Sequence, residues 1–145
     1  MAVIRKATLS DLEVLCTLEK RCFEKKRFSE DHMTWLLENP DATSYVYYNE
    51  AGIVASIILM RLGRIGKVVS LGVAPGHRRR GIATQLMALG EREMKTHGAA
   101  SMRLEVGTTN DAAIMLYESL GYEIVREMPR YYSWGEDALA MKKPM

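Results

Sequence analysis

Residues 69–87 read VSLGVAPGHRRRGIATQLM. The stretch changes character in its middle. KVVSLGV, at 67–73, is rich in β-branched residues and reads as a strand. Ala74-Pro75-Gly76 breaks it, and HRRRGIA at 77–83 opens a helix whose apolar face is Ile82, Leu86, Leu89 and Met94. Arg78, Arg79 and Arg80 therefore fall at a strand-to-helix junction. A helix start leaves its first backbone N–H groups unsatisfied and carries partial positive charge. Gly81 has no side chain to keep a ligand from those groups, and Ala83 keeps the next turn small. Guanidinium groups add forked donors that match phosphate oxygens. A pyrophosphate suits such a junction; on these residues alone, so does a solvated basic turn. No Lys-Ser/Thr follows the glycine, and the GxGxxG fingerprint is absent.

The rest of the chain narrows the choice. Its 145 residues suffice for one domain, 1–145, with its own core. Hydrophobic residues make up 48% and charged residues 26%, the balance of a globular chain. A net charge of only +2 argues against a nucleic-acid binder, which carries a broad basic face. No apolar run approaches a membrane span, and the N-terminus reads as a strand entering a helix, not as a signal peptide. A cytoplasmic protein without membrane or nucleic-acid partners is expected. Cys16 and Cys22 lie six apart on the first predicted helix, face different ways and read as buried, unpaired thiols. His32, His77 and His97 are scattered without metal-ligand spacing, so no metal site is expected and the three read as surface or capping residues.

The element order reads β-α-α-β-β-β-α-β-α-β-β. Val3–Lys6 is a strand, and Thr8 with Asp11 marks a capping box for the first helix. Ser29 caps a second helix through Trp35, Leu36 and Leu37 to Asn39-Pro40. SYVYYN and GIVASIILMRL form a hairpin. SMRLEV at 101–106 is a strand, Asn110 caps a helix from Asp111 to Leu120, and Gly121 closes it. YEIVRE and DALAMKK are the last strands, joined by the aromatic loop MPRYYSWGE. The pattern gives an α/β (α+β) fold, seven strands in a sheet sandwiched by about four helices.

Three motifs in order now carry a resemblance. Arg78, Gly81 and Ala83 fill the Arg/Gln-x-x-Gly-x-Gly/Ala pattern of the GCN5-related N-acetyltransferase (GNAT) superfamily. LEVGTTNDAAIMLYESLGYE resembles its second acetyl-CoA motif. RYYSWGEDALAMKK is similar to the C-terminal part of one branch, the RimI-like and archaeal N-terminal protein acetyltransferases. The resemblance covers nearly the whole chain.

The resemblance implies acetyl-CoA as cofactor, with its pyrophosphate on the backbone of Arg78, Arg79, Arg80, Gly81, Ile82, Ala83 and Thr84. It implies that the sheet is central and mixed, and that strands 67–73 and 101–106 part into a V-shaped slot. Edge groups of Leu71, Gly72 and Val73 then receive the pantetheine arm and the developing oxyanion. Asn110 contacts the CoA arm, a role compatible with its cap. Tyr117 is the implied general acid; an ordinary phenol is protonated at neutral pH and can donate. Glu105 is the implied general base, and a lone charge in an apolar strand needs such a reason or an ion pair. Tyr131 and Tyr132 grip the substrate backbone, and loop 24–29 shapes the first-residue pocket, with Phe28 the best candidate. Direct attack in a ternary complex on the α-amino group of protein N-termini follows, ribosomal proteins among them. The alternatives are acetylation of a lysine or a small amine, and a non-catalytic CoA-binding module. Two departures bear on peptide preference: Gly107 stands where relatives carry arginine after LEV, and the first loop lacks their proline. Oligomeric state is left open.

Overall fold

The computed structural model describes residues 2–23 and 28–145. Its elements are β1 (Val3–Lys6), α1 (Leu12–Phe23), α2 (Glu30–Glu38), β2 (Ala42–Asn49), β3 (Gly52–Leu62), β4 (Ile65–Val73), α3 (Ile82–Thr96), β5 (Ser101–Gly107), α4 (Asp111–Ser119), β6 (Glu123–Met128) and β7 (Ala138–Pro144). The strands form one seven-stranded sheet in the order β1-β2-β3-β4-β5-β7-β6. Neighbours are antiparallel except β4 and β5, which run parallel. This is the expected mixed sheet in the expected element order.

Local chemistry sets the boundaries. Thr8 and Asp11 form the capping box that leads into α1, and Asp11 also takes a two-pronged contact from Arg5, at 2.8 and 2.9 Å. Ser29 accepts the His32 N–H and starts α2. Asn110 does the same for α4 by accepting the Ala113 N–H, and Gly121 follows that helix with φ of 96°.

The sheet separates two apolar layers. On one face Ile57, Leu59, Val68, Met102 and Leu104 pack against Leu86, Met87 and Met94 of α3. On the other, Val46 and Ile58 pack against Leu15 of α1 and Met33 and Leu36 of α2. Gly66 lets the Met layer close over the sheet, since a Cβ there would lie 2.6 Å from Met94 and 2.7 Å from Met102. One expectation is corrected: Cys16 and Cys22 are free but only partly buried. Along α2, Leu36 is buried and Trp35 is 54% exposed, because adjacent residues on a helix cannot share one face.

Two features of β4 position the site. Its pairing with β3 shifts at Ile58/Leu59, so Ser70 opposes Ile58, Val68 opposes Leu59, and Val69 is an extra residue. Its parallel pairing with β5 stops after three partners: Ile65 with Ser101, Gly66 with Met102 and Lys67 with Arg103. Beyond these the strands part.

Candidate active site

The opening between β4 and β5 is a cleft of about 830 Å³. Its walls include Lys67 to Leu71 from β4, Leu104 to Gly107 from β5, Asn110 and Tyr117 from α4, and Tyr131 to Trp134 from the loop before β7. The expected slot is therefore present, between the two strands expected to part.

Backbone parity decides which β4 groups face it. The Ala74 N–H donates to the Val54 carbonyl at 2.8 Å, which makes residue 74 a hydrogen-bonded position towards β3. Alternation gives Gly72 and Ser70 the same direction. The N–H and C=O groups of Leu71 and Val73 then face the slot, as expected of them. Gly72 is different: its polar groups turn to β3, and its missing side chain matters more. A Cβ there would lie 3.2 Å from Cys22 and from Phe23, so glycine lets α1 sit close over the slot strand. The Val73 carbonyl accepts the Arg78 Nε at 2.9 Å, a contact that draws the first arginine back onto the strand end.

The arginine turn lies just before α3. Gly81 is its N-cap residue, with φ of 77°, a left-handed value that glycine adopts without strain; Arg79 shares that region at 62°. The first helical bond runs from the Gln85 N–H to the Gly81 carbonyl at 3.1 Å. The N–H groups of Ile82, Ala83 and Thr84 thus have no acceptor within the helix. A Cβ on Gly81 would meet nothing within 4 Å, so open space stands over that turn. Arg78, Arg79 and Arg80 are all exposed there.

At the other end of the cleft the carboxylate of Glu105 is held from two sides. Lys67 Nζ lies 2.6 Å from its Oε1, and the Tyr131 hydroxyl donates to the same oxygen at 3.0 Å. Glu105 is both the ion pair and the cleft carboxylate that its sequence position allowed. Tyr131 meets Tyr132 edge-on at 5.0 Å, and Tyr132 stacks on Trp134 at 4.6 Å. This aromatic loop forms one wall over Glu105. Tyr117 projects from α4 and is almost fully buried; burial pushes its phenol up to about 12, so its proton stays on at neutral pH. Asn110 lines the same wall. Phe28 lines the opposite wall and meets His32 edge-on at 4.5 Å; residues 24–27 of the expected first loop lie outside the described residues.

Sequence reasoning missed several residues of this site. Lys67 looks like an ordinary polar strand residue until the sheet brings it to Glu105. His32, read as a surface or capping residue, lines the cleft beside Trp35. Glu19 is 4% exposed and also lines the cleft. Glu136 sits against Gly107, where any Cβ would fall on its carboxylate, and takes the Trp134 indole N–H at 3.0 Å and the Thr109 N–H at 3.3 Å. Glu136 thus fills the space that any side chain at 107 would need. The adjacent Gly-Glu-Asp of the aromatic loop was the one available signal.

Comparison with known proteins bears on what such a slot does. The acetyltransferase (GNAT) family profile matches residues 11–122, spanning α1 through α4. The chain belongs to the acetyltransferase (GNAT) family. Among members of that family, the N-alpha-acetyltransferase of Saccharolobus solfataricus is 42% identical over 88 residues, 60% of this chain and 53% of its own. This chain thus matches about half the length of that relative. The N-terminal acetyltransferase A complex catalytic subunit NAA10 of Arabidopsis thaliana is 31% identical, with 99% of this chain and 78% of its own covered. The solved ribosomal-protein-S18-alanine N-acetyltransferase of Escherichia coli superposes with a TM-score of 0.90 at 26% identity, covering 99% of this chain and 94% of that one.

The residues fit the acetyl-CoA that this GNAT family membership implies. The slot-facing groups of Leu71 and the Val73 N–H are the partners an amide-rich arm needs, the Val73 carbonyl being held by Arg78. The open Gly81 turn, its three unbonded N–H groups and the arginines suit a pyrophosphate.

Proposed function

We propose that this protein transfers the acetyl group of acetyl-CoA to the free α-amino group of protein N-termini. One observation carries the reading. The parted strands open a slot lined by both Glu105 and Tyr117, a proton acceptor and a proton donor, beneath an aromatic wall.

Each residue has work to do there. An N-terminal ammonium has a pKa near 8, so at neutral pH most of it must lose a proton before it can attack. Glu105 takes that proton, directly or through a water. Lys67 and Tyr131 fix the direction in which its carboxylate points. Bound acetyl-CoA supplies an activated thioester and a thiolate leaving group. Tyr117 keeps its proton in reserve and gives it to that thiolate. Leu71 presents a backbone N–H toward the slot, which can stabilise charge on the carbonyl oxygen. Tyr131 and Tyr132 close over the entrance and favour a chain end over an internal lysine, whose two flanking chains need an open groove. Ribosomal proteins are the proposed substrates nearest to the Escherichia coli relative, and the cytoplasm is the proposed compartment.

The test is acetyl transfer to short peptides that differ only at residue one, with blocked N-termini and free lysines as controls. Free N-termini should react and blocked ones should not. Reaction confined to lysines or small amines overturns the substrate. Binding of acetyl-CoA without transfer to any amine overturns the enzyme.

A further inference from the structure

Glu19 is a buried carboxylate that the chemistry above does not use. It projects from α1 into the cleft wall, and two donors from other elements reach it. One is the backbone N–H of Phe28, next to the Ser29 cap of α2. The other is the hydroxyl of Ser70 in β4, 3.4 Å from Oε2. Ser70 lies between the bulge residue Val69 and Leu71, whose edge groups face the slot. Phe28 and His32, in ring contact, continue the same wall. One carboxylate therefore joins α1, the start of α2 and the slot strand, at the side of the cleft opposite the aromatic loop.

Taking a carboxylate out of water is costly, and a cross-link of purely structural purpose is satisfied by a neutral amide. The charged form has a specific advantage here: it accepts strongly from both donors at once. We propose that Glu19 is a positioning residue for the acceptor, clamping the Phe28 wall to β4 and so setting the entrance through which the N-terminus reaches Glu105. It acts without touching the reacting atoms, and it rests on the N-terminal acetyltransferase reading.

Burial raises its ionisation to about 7, against the two hydrogen bonds, so the clamp is titrated near neutrality. The groups around it come from each packed element. The Cys16 and Cys22 thiols share α1 with it and feel its charge, Glu30 of α2 acts on Cys16, and Arg78 acts on Cys22. Lys67 and Glu105 share the cleft but satisfy one another.

The experiment joins amide hydrogen exchange to steady-state kinetics on the full chain, using wild type, Glu19→Ala, Glu19→Gln and Ser70→Ala. In Glu19→Ala the Phe28 amide should exchange about tenfold faster, while the β5 amides stay as in wild type. Peptide KM should rise about tenfold, with kcat and acetyl-CoA KM within about twofold. Glu19→Gln keeps an oxygen that accepts the Phe28 N–H but not the charge, so it should restore most of the Phe28 protection, bring peptide KM to within about threefold of wild type, and lose the wild-type change in peptide KM around pH 7. Ser70→Ala should raise peptide KM about threefold. Unchanged Phe28 exchange in Glu19→Ala overturns the clamp. Faster exchange with unchanged peptide KM overturns the positioning role. An equal rise in both KM values also overturns it. If wild type acetylates no peptide, the proposed function fails, while the exchange data still decide whether the clamp exists.

Discussion

The two ends of the cleft are built differently. The end assigned to the cofactor comes from one continuous stretch, 71–84, and presents mostly backbone: the edges of Leu71 and Val73 and the unbonded N–H groups beyond Gly81. The end assigned to the acceptor is made of side chains gathered from α1, β4, β5 and the aromatic loop. A backbone surface recognises what every acetyl-CoA has in common. A side-chain surface can be altered one residue at a time. In the proposed reaction the common part is thus carried by local geometry, and the selective part by tertiary assembly.

Four substitutions sharpen or break that division. Tyr117→Phe removes the proposed proton donor where the two ends meet. The expected result is a fall in kcat of about 100-fold or more with both KM values unchanged, measured by CoA release. Because burial holds the phenol near 12, the wild-type rate should show no Tyr117 limb below about pH 10.

The next effect is on stability. The Glu19 carboxyl is raised from 4.5 to about 7 in the folded chain, so folding favours its neutral form. Its contribution is fully present below about pH 4.5 and is lost as pH rises to about 7. The shift corresponds to on the order of 3 kcal/mol. Glu19→Gln removes that dependence. Denaturant unfolding at pH 5 and pH 8 should show the variant gaining on wild type at the higher pH; an equal difference at both removes the buried-charge account.

Glu105→Gln should lower kcat/KM about 30-fold at pH 7. The loss should shrink above pH 8, where the amine arrives already deprotonated. A pH-independent loss would mean that Glu105 holds Lys67 and Tyr131 in place and takes no proton. Gly81→Ala tests the backbone end. It forces a left-handed φ on alanine, at about 1 kcal/mol, and should raise acetyl-CoA KM about tenfold without moving peptide KM. If peptide KM rises as much, the two ends are not separate.

The same division explains what could be read from the sequence. The strand, the break, the arginine turn and the α3 start follow one another within 69–87, so their period change and turn residues were visible. Caps at Thr8, Ser29 and Asn110 were visible for the same reason: each acts over three residues. The parting of β4 and β5 came only through family resemblance, since nothing in either strand says where parallel pairing stops. Lys67 with Glu105 and Glu136 with Gly107 were illegible because partners distant in sequence meet only once the sheet is built. The exposure of Trp35 beside buried Leu36 was illegible too, because an apolar helical run does not reveal which member turns outward.

The bulge at Val69 has a consequence for how such a chain can vary in length. A strand alternates faces, but the extra residue lets Lys67, Val69 and Ser70 all lie toward α1 and α2, while Val68 and Leu71 lie toward α3. Loops on either side of β4 can gain or lose residues without disturbing this sorting. Within β4, loss of one residue outside the bulge exchanges the contents of the two faces between the deletion and the strand end it shifts, unless the bulge residue itself is lost to restore the alternation. Such a shift turns Leu71 toward the carboxylates and Ser70 into the Met layer. Insertions and deletions among descendants of this chain should therefore spare β4 except at the bulge, even where its side chains drift.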